Sequence, residues 1–189
     1  EIDKEGIGAF AGVSFIREYQ YNHKASTFLE GLQSDYSKLF LSFTKFNPEH
    51  VLNLPPYNFL RQKDTYSFNA GGMVKIPTGG TLSGRVGVLV NSAYERTTTI
   101  QVLGEDDSPK EGEFLRLNID KKVEKGVDAH LSLQVDFFNL LKLTLLSADL
   151  EYRYGMANST YYSFYEKDKQ FIATSSAHAS EFKKLINGQ

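Results

Sequence analysis

Three observations predict an all-β fold, mainly antiparallel: apolar and polar residues alternate with period two, Tyr and Phe are abundant, and turn signals recur at hairpin spacing. The expected architecture is a meander barrel or sandwich of about nine strands, with a short N-terminal helix and a C-terminal helix. The alternation is clearest in GVDAHLSLQVDFF, residues 126–138. Asp128, His130, Ser132, Gln134 and Asp136 fall on one side, and Ala129, Leu131, Leu133, Val135 and Phe137 on the other. Such a ribbon has one apolar and one polar face, and the polar face looks at bulk water, a barrel interior or a ligand.

Composition narrows the class. The 189 residues favour a single domain, 1–189, of ordinary globular make-up, with 41% hydrophobic and 23% charged residues. A chain of that size buries roughly 70% of its unfolded surface, so it needs no metal or disulfide staple. A net charge of −2 argues against a nucleic-acid partner, because no surplus of Lys and Arg is on hand to displace counterions. The absence of cysteine removes disulfides, zinc–thiolate sites and thiol nucleophiles, and leaves the redox compartment undecided. No run of about 18 apolar residues encodes a membrane-crossing helix. The charged opening EIDKEG does not have the form of a signal peptide. Eleven Tyr and fourteen Phe, with no Trp, point to strands rather than helices.

The elements follow in order. GIGAFAGVSFIREYQY, residues 6–21, places Ile7, Ala9, Ala11, Val13 and Phe15 on one face and three glycines on the other, which suits a long strand close to another backbone. In 24–40, Thr27 and Glu30 make a capping box. Phe28, Leu32, Tyr36 and Phe40 then recur every fourth residue, predicting a helix from Phe28 to Ser37 despite Gly31. LFLSFTKF, 39–46, reads as strand. The connector 47–64 holds three of the five prolines and one helical turn at 48–52, with Asn47 as cap and Pro48 in the first helical position.

From Thr65 the chain reads as a meander. Strands at 65–76 and 81–91 flank the turn signal PTGG, and 97–103 is β-branched. A charged loop over 104–113 precedes a strand at 113–120, and KKVEKG turns the chain into the 126–138 ribbon. In 140–154 the apolar phase switches between Leu145 and Leu146, the mark of a β-bulge, with a short buried helix over 140–147 as the competing reading. Short strands at 160–167 and 170–175 precede a helix at 179–188, capped by Ser180 and Gly188. The organisation is thus a subregion 1–47, a connector 47–64, a main sheet 65–176 and a terminal helix 179–188, with no internal repeat.

Chemistry-bearing motifs are few. PTGGTLSG lacks the Lys-Ser/Thr ending and the following helix of a phosphate loop. The histidines at 23, 50, 130 and 178 do not pair at metal-ligand spacing, and there is no HExxH and no GxSxG elbow. No catalytic residue, metal ligand or cofactor is therefore assigned. The polar row His130, Ser132, Gln134 and Asp136 is the candidate ligand-binding set. His130 and Asp136 stand about 20 Å apart along the strand and do not act together. Asp149, Glu151 and Arg153 share a face and read as solubilising charges. Tyr161, Tyr162, Phe164 and Tyr165 read as core and cross-strand packing, with sugar stacking or a membrane interface as the alternatives. Asn158-Ser159-Thr160 is a glycosylation sequon only in a eukaryotic secretory pathway.

The expected function is that of a non-enzymatic cell-envelope or secreted β-domain, periplasmic or extracellular. It would act by binding or assembly on a protein or on a small apolar or carbohydrate ligand. The alternative is a small outer-membrane β-barrel with a polar interior, which the tyrosines and the alternating segments of about ten residues suit. Against it, the chain finishes in LINGQ after a helix rather than in an aromatic-ended strand. A hydrolase with its site in a barrel mouth and a pore-forming or capsid-like assembly protein are further alternatives. The last is motivated by the Ser/Thr-rich hairpin 81–103.

Overall fold

Long strands make the sheet, and they are longer than the turn signals imply. The computed structural model describes residues 6–22, 27, 40–42, 45–77, 82–107, 110–137 and 141–187. Its elements are β1 (Ile7–Asn22), β2 (Phe40–Ser42), β3 (Lys45–Phe46), α1 (Pro48–Leu52), β4 (Phe59–Pro77), β5 (Leu82–Val102), β6 (Glu113–Phe137), β7 (Leu141–Tyr165), α2 (Glu166–Thr174) and α3 (Ser176–Asn187). One open antiparallel meander sheet has the order β1-β4-β5-β6-β7, and β2 and β3 form a separate pair. The mainly-β antiparallel expectation is met, while seven strands stand among the described residues in place of about nine. The expected helix over 28–37, the PTGG turn at 77–80 and the Gly188 cap lie wholly or largely outside the described residues.

The count falls because predicted neighbours fuse. The breaks expected at 92–96, 121–126 and 155–159 lie inside β5, β6 and β7. No proline interrupts these stretches, and their polar side chains find lateral partners that let the pleat continue. The Ser159 hydroxyl of β7 donates to Asp120 of β6 at 2.5 Å, and Arg153 of β7 bonds Asp128 of β6. The connector also shrinks, since Phe59–Asp64 already belongs to β4.

QFIATS, expected as strand, is helix α2. The Tyr165 N–H donates to the Asp168 carboxylate at 2.8 Å, and Glu166 and Asp168 put negative charge in the first turn, where the helix dipole favours it. The terminal helix starts at Ser176, ahead of the expected cap Ser180. α1 forms as its sequence implies: the Asn47 side chain accepts from the Glu49 N–H at 3.2 Å and Pro48 opens the first turn.

The chain divides into two compact units. Unit 2 comprises Arg17–Asp64, Arg96–Lys121 and Asn158–Gln189. Every member of the buried apolar cluster belongs to it, among them Phe46, Val51, Leu60, Ile100, Leu117 and Ile186. α3 presents Phe182 and Ile186, one turn apart, to this core, and Phe164 meets Phe182 edge to face at 5.3 Å. The buried Asn187 amide accepts from the Phe46 N–H at 2.5 Å and donates to the Phe46 carbonyl at 3.2 Å, so it pairs with β3 as a strand residue would. Arg17 grips the buried Asp64 carboxylate with two hydrogen bonds of 2.5 and 2.6 Å, and Gln62 adds a third at 3.0 Å.

Unit 1 comprises Glu1–Ile16, Thr65–Glu95 and Lys122–Ala157. It contributes nothing to that cluster and, among the described residues, carries all but five of the exposed large apolar side chains.

Two predictions follow from unit 2. Leu117 is fully buried, so Leu117→Ala should cost about 2–5 kcal/mol in a urea titration. Arg116 donates two 3.0 Å hydrogen bonds to the buried Glu113 and holds its carboxyl below the usual range. A depressed folded-state pKa stabilises above the unfolded value, and that stability is lost as pH falls through the folded one. Glu113→Gln should therefore flatten the decline in urea midpoint measured below about pH 4.5, and an unchanged decline would show that this pair is not responsible.

Candidate functional site

The polar row of β6 supplies the candidate site, and its neighbours follow from strand pairing. Cross-strand contacts within unit 1 sort its side chains onto two faces. Ser14 bonds Ser67 at 2.6 Å, Gly87 lies against Met73 and His130, and Asn91 bonds Asp128 at 3.0 Å. Those residues and their period-two mates form the polar face. Phe15 stacks on Tyr66 with ring centres 4.7 Å apart, and Tyr66 lies 6.1 Å from Tyr94. These three belong to the apolar face, with Val13, Phe68, Val86, Val88, Val90, Val127, Leu131 and Leu150.

On the polar face, β6 and β7 exchange a ladder of charged bonds. His130 Nδ1 lies 2.5 Å from Asp149, and Arg153 holds Asp128 through bonds of 2.6 and 3.2 Å while also meeting Glu151 at 3.0 Å. Gln134 reaches the Thr144 hydroxyl at 3.5 Å. Thr144 and Asp149 are five positions apart yet face the same side of β6. An odd separation on one face requires one extra residue between them, as the phase switch at Leu145-Leu146 implies.

Of the four candidate residues, the fold gives His130 and Gln134 partners on β7, and Ser132 is buried. The Asp136 side chain lies outside the described residues. His130 and Ser132 share no hydrogen bond among the described residues, so the His130–Asp149 pair does not extend into a nucleophilic triad. Among the described residues no three His, Asp or Glu side chains are grouped to hold a metal ion.

Single-strand reading puts Asp128 in the polar row and takes Asp149 and Arg153 as solubilising charges; their bonding to one another and to Asn91 across strands is what it does not reach. The signal was in the hairpin: counted from the ends of β6 and β7, 128 with 151 and 130 with 149 are each one residue off symmetric, the offset that one extra residue in β7 produces. Antiparallel pairing about that turn brings those positions together.

Both faces of this sheet carry exposed side chains, Asp149 at 74% and Glu151 at 63% on the polar one. Ser132 on the polar face is 4% exposed, whereas Leu131 on the apolar face is 45% exposed, and Val13 and Leu150 reach 82% and 72%. By the alternation, Lys125 is the one charged residue on the apolar face among the described strands of unit 1. The chain matches no protein-family model and no curated protein in sequence.

Gly126 lies beneath the ladder, where a Cβ would overlap the Arg153 guanidinium and the Asn91 amide. Gly126→Ala must displace the ends of these two flexible side chains and is expected to cost about 1 kcal/mol, the low end of overpacking. The cost should shrink in an Arg153→Ala background, where one of the overlapping groups is gone. Strict additivity in that double-mutant cycle would refute the arrangement.

Proposed function

We propose that unit 1 is a section of β-barrel wall that works in a lipid bilayer of the cell envelope, with its apolar face toward lipid and the row from Asp128 to Gln134 toward an aqueous interior. The observation that carries this reading is the uncovered apolar face: large apolar side chains stand exposed on all five strands, Val13, Phe68, Val88, Leu131 and Leu150 among them. A sheet facing water on one side normally covers its apolar face.

Dimensions and composition support the same reading. Ile7–Phe15, Leu82–Val90 and Val127–Val135 each span nine residues, close to the 9–11 that a tilted strand needs to cross hydrocarbon. Phe15, Tyr66 and Tyr94 cluster at one end of the band, with Tyr152 and Tyr154 also on the apolar face, and aliphatic Val and Leu fill the rest. An aromatic belt beside an aliphatic band is the lipid-facing pattern of barrels.

The edges β1 and β7 need partners in such a medium, because each unpaired backbone group in hydrocarbon costs several kcal/mol. Strands from further copies of the chain supply them in this proposal, which joins the barrel reading to the assembly reading. A soluble domain acting by binding or assembly is the second reading, and the conventional core of unit 2 favours it.

Flotation with liposomes tests the proposal. The protein should float with vesicles, and Val88→Arg or Leu150→Arg should abolish flotation, a cationic side chain on the lipid face costing about 2–4 kcal/mol near the midplane. Gln134→Ala, on the opposite face, should float normally. A stable detergent-free monomer that stays with the aqueous fraction would overturn the membrane reading and leave the soluble one.

A further inference from the structure

Unit 2 carries a cleft that neither the core nor the polar row accounts for. It has a volume of about 470 Å³ and lies between the sheet and α3. Arg96 of β5, Lys121 of β6 and Lys184 of α3 converge on it, with Glu181 the single acid in the lining and the hydroxyls of Thr160 and Tyr162 completing the polar wall.

Three cations facing one acid repel one another unless something negative sits among them. No ion pair relieves Arg96, Lys121 or Lys184 among the described residues. The decisive feature is Arg96. Its Nη2 donates weakly to the Leu185 carbonyl at 3.4 Å, while its Nε is buried with no acceptor. That Nε is closed off from the cleft, so Arg96 serves it through its terminal guanidinium nitrogens. A planar guanidinium matches the paired oxygens of a phosphate, and lysines complete such sites as point charges.

We propose that this cleft binds a phosphate group, with Arg96 as the bidentate donor, Lys121 and Lys184 as the flanking charges, and Thr160 and Tyr162 donating from their hydroxyls. The cleft exceeds inorganic phosphate in size, so the ligand is an organic phosphate whose carbon part fills the remainder. Glu181 opposes the ligand's charge and favours a moiety that carries a hydroxyl or amine at that end. The site lies wholly in unit 2 and stands apart from the membrane reading of unit 1.

Isothermal titration of the full-length protein tests this with three probes: inorganic phosphate, glycerol 3-phosphate and glycerophosphoglycerol, the last being a lipid headgroup without acyl chains. Saturable one-site binding is expected, weakened at least tenfold by Arg96→Gln and severalfold by each of Lys121→Gln and Lys184→Gln. Lys169→Gln, which lies over Phe114 outside the cleft, should leave it unchanged. Tighter binding of the monoester would identify a soluble phosphate ligand, and tighter binding of the diester a lipid headgroup. If Arg96→Gln fails to fold, the exposed double variant Lys121→Gln/Lys184→Gln decides. Absence of saturable binding by all three probes, or binding that survives the double variant unchanged, overturns the proposal. Loss of phosphate binding with liposome flotation retained would strike this site alone.

Discussion

The pleat of a β-strand sends successive side chains to opposite faces, and unit 1 depends on that constraint above all. Once Ser14, Ser67, Asn91 and Asp128 share a face, Phe15, Phe68, Val90 and Val127 are committed to the other. Phe10, Ile16 and Met73 stand among the polar residues by the same alternation, and a one-residue slip would reverse every side chain. The irregularity between Thr144 and Asp149 is the local device that lets β7 keep both its leucines and its charges on their proper sides. What unit 1 lacks, among the described residues, is a layer over the apolar face, and the bilayer proposal follows from that.

Unit 2 solves the same problem in the ordinary way. α1, α2 and α3 contribute Val51, Leu52, Ile172, Phe182 and Ile186 to a core shared with Leu60, Ile100, Leu115 and Leu117. Most buried polar groups there are answered: Asn187 satisfies both backbone groups of Phe46, and Asp64 receives Arg17 and Gln62. The exceptions among the described residues are Gln62 Oε1, Arg96 Nε and Asn118 Oδ1.

The two units carry different functional possibilities on one sheet. The polar ladder of unit 1 is mutually satisfied, with Asp128, Arg153 and Glu151 joined in one network and His130 joined to Asp149. Groups so paired line a surface well but have little left to offer a specific ligand. The cationic cleft of unit 2 has the reverse character, since no ion pair engages its three cations among the described residues and its volume is open.

The sequence by itself determined the sheet. Alternation marked β1, β5 and β6, Asn47 and Pro48 marked α1, and the paired leucines at 145 and 146 marked the change of phase, because each is a local signal acting within a few residues. It also determined that His130, Ser132 and Gln134 share a face. Strand length escaped it, since KKVEKG and NSAYER carry turn-like composition and continue as strand only when neighbours pair with them. QFIATS escaped it as well: its Phe, Ile and Thr favour strand, and the hydrogen bond of Asp168 to the Tyr165 backbone decides for helix. Which face is covered was beyond any single-strand reading. Period-two patterning says that a strand has two faces, but whether helices, water or lipid lies against each is set by elements distant in the chain, and only tertiary structure brings those together.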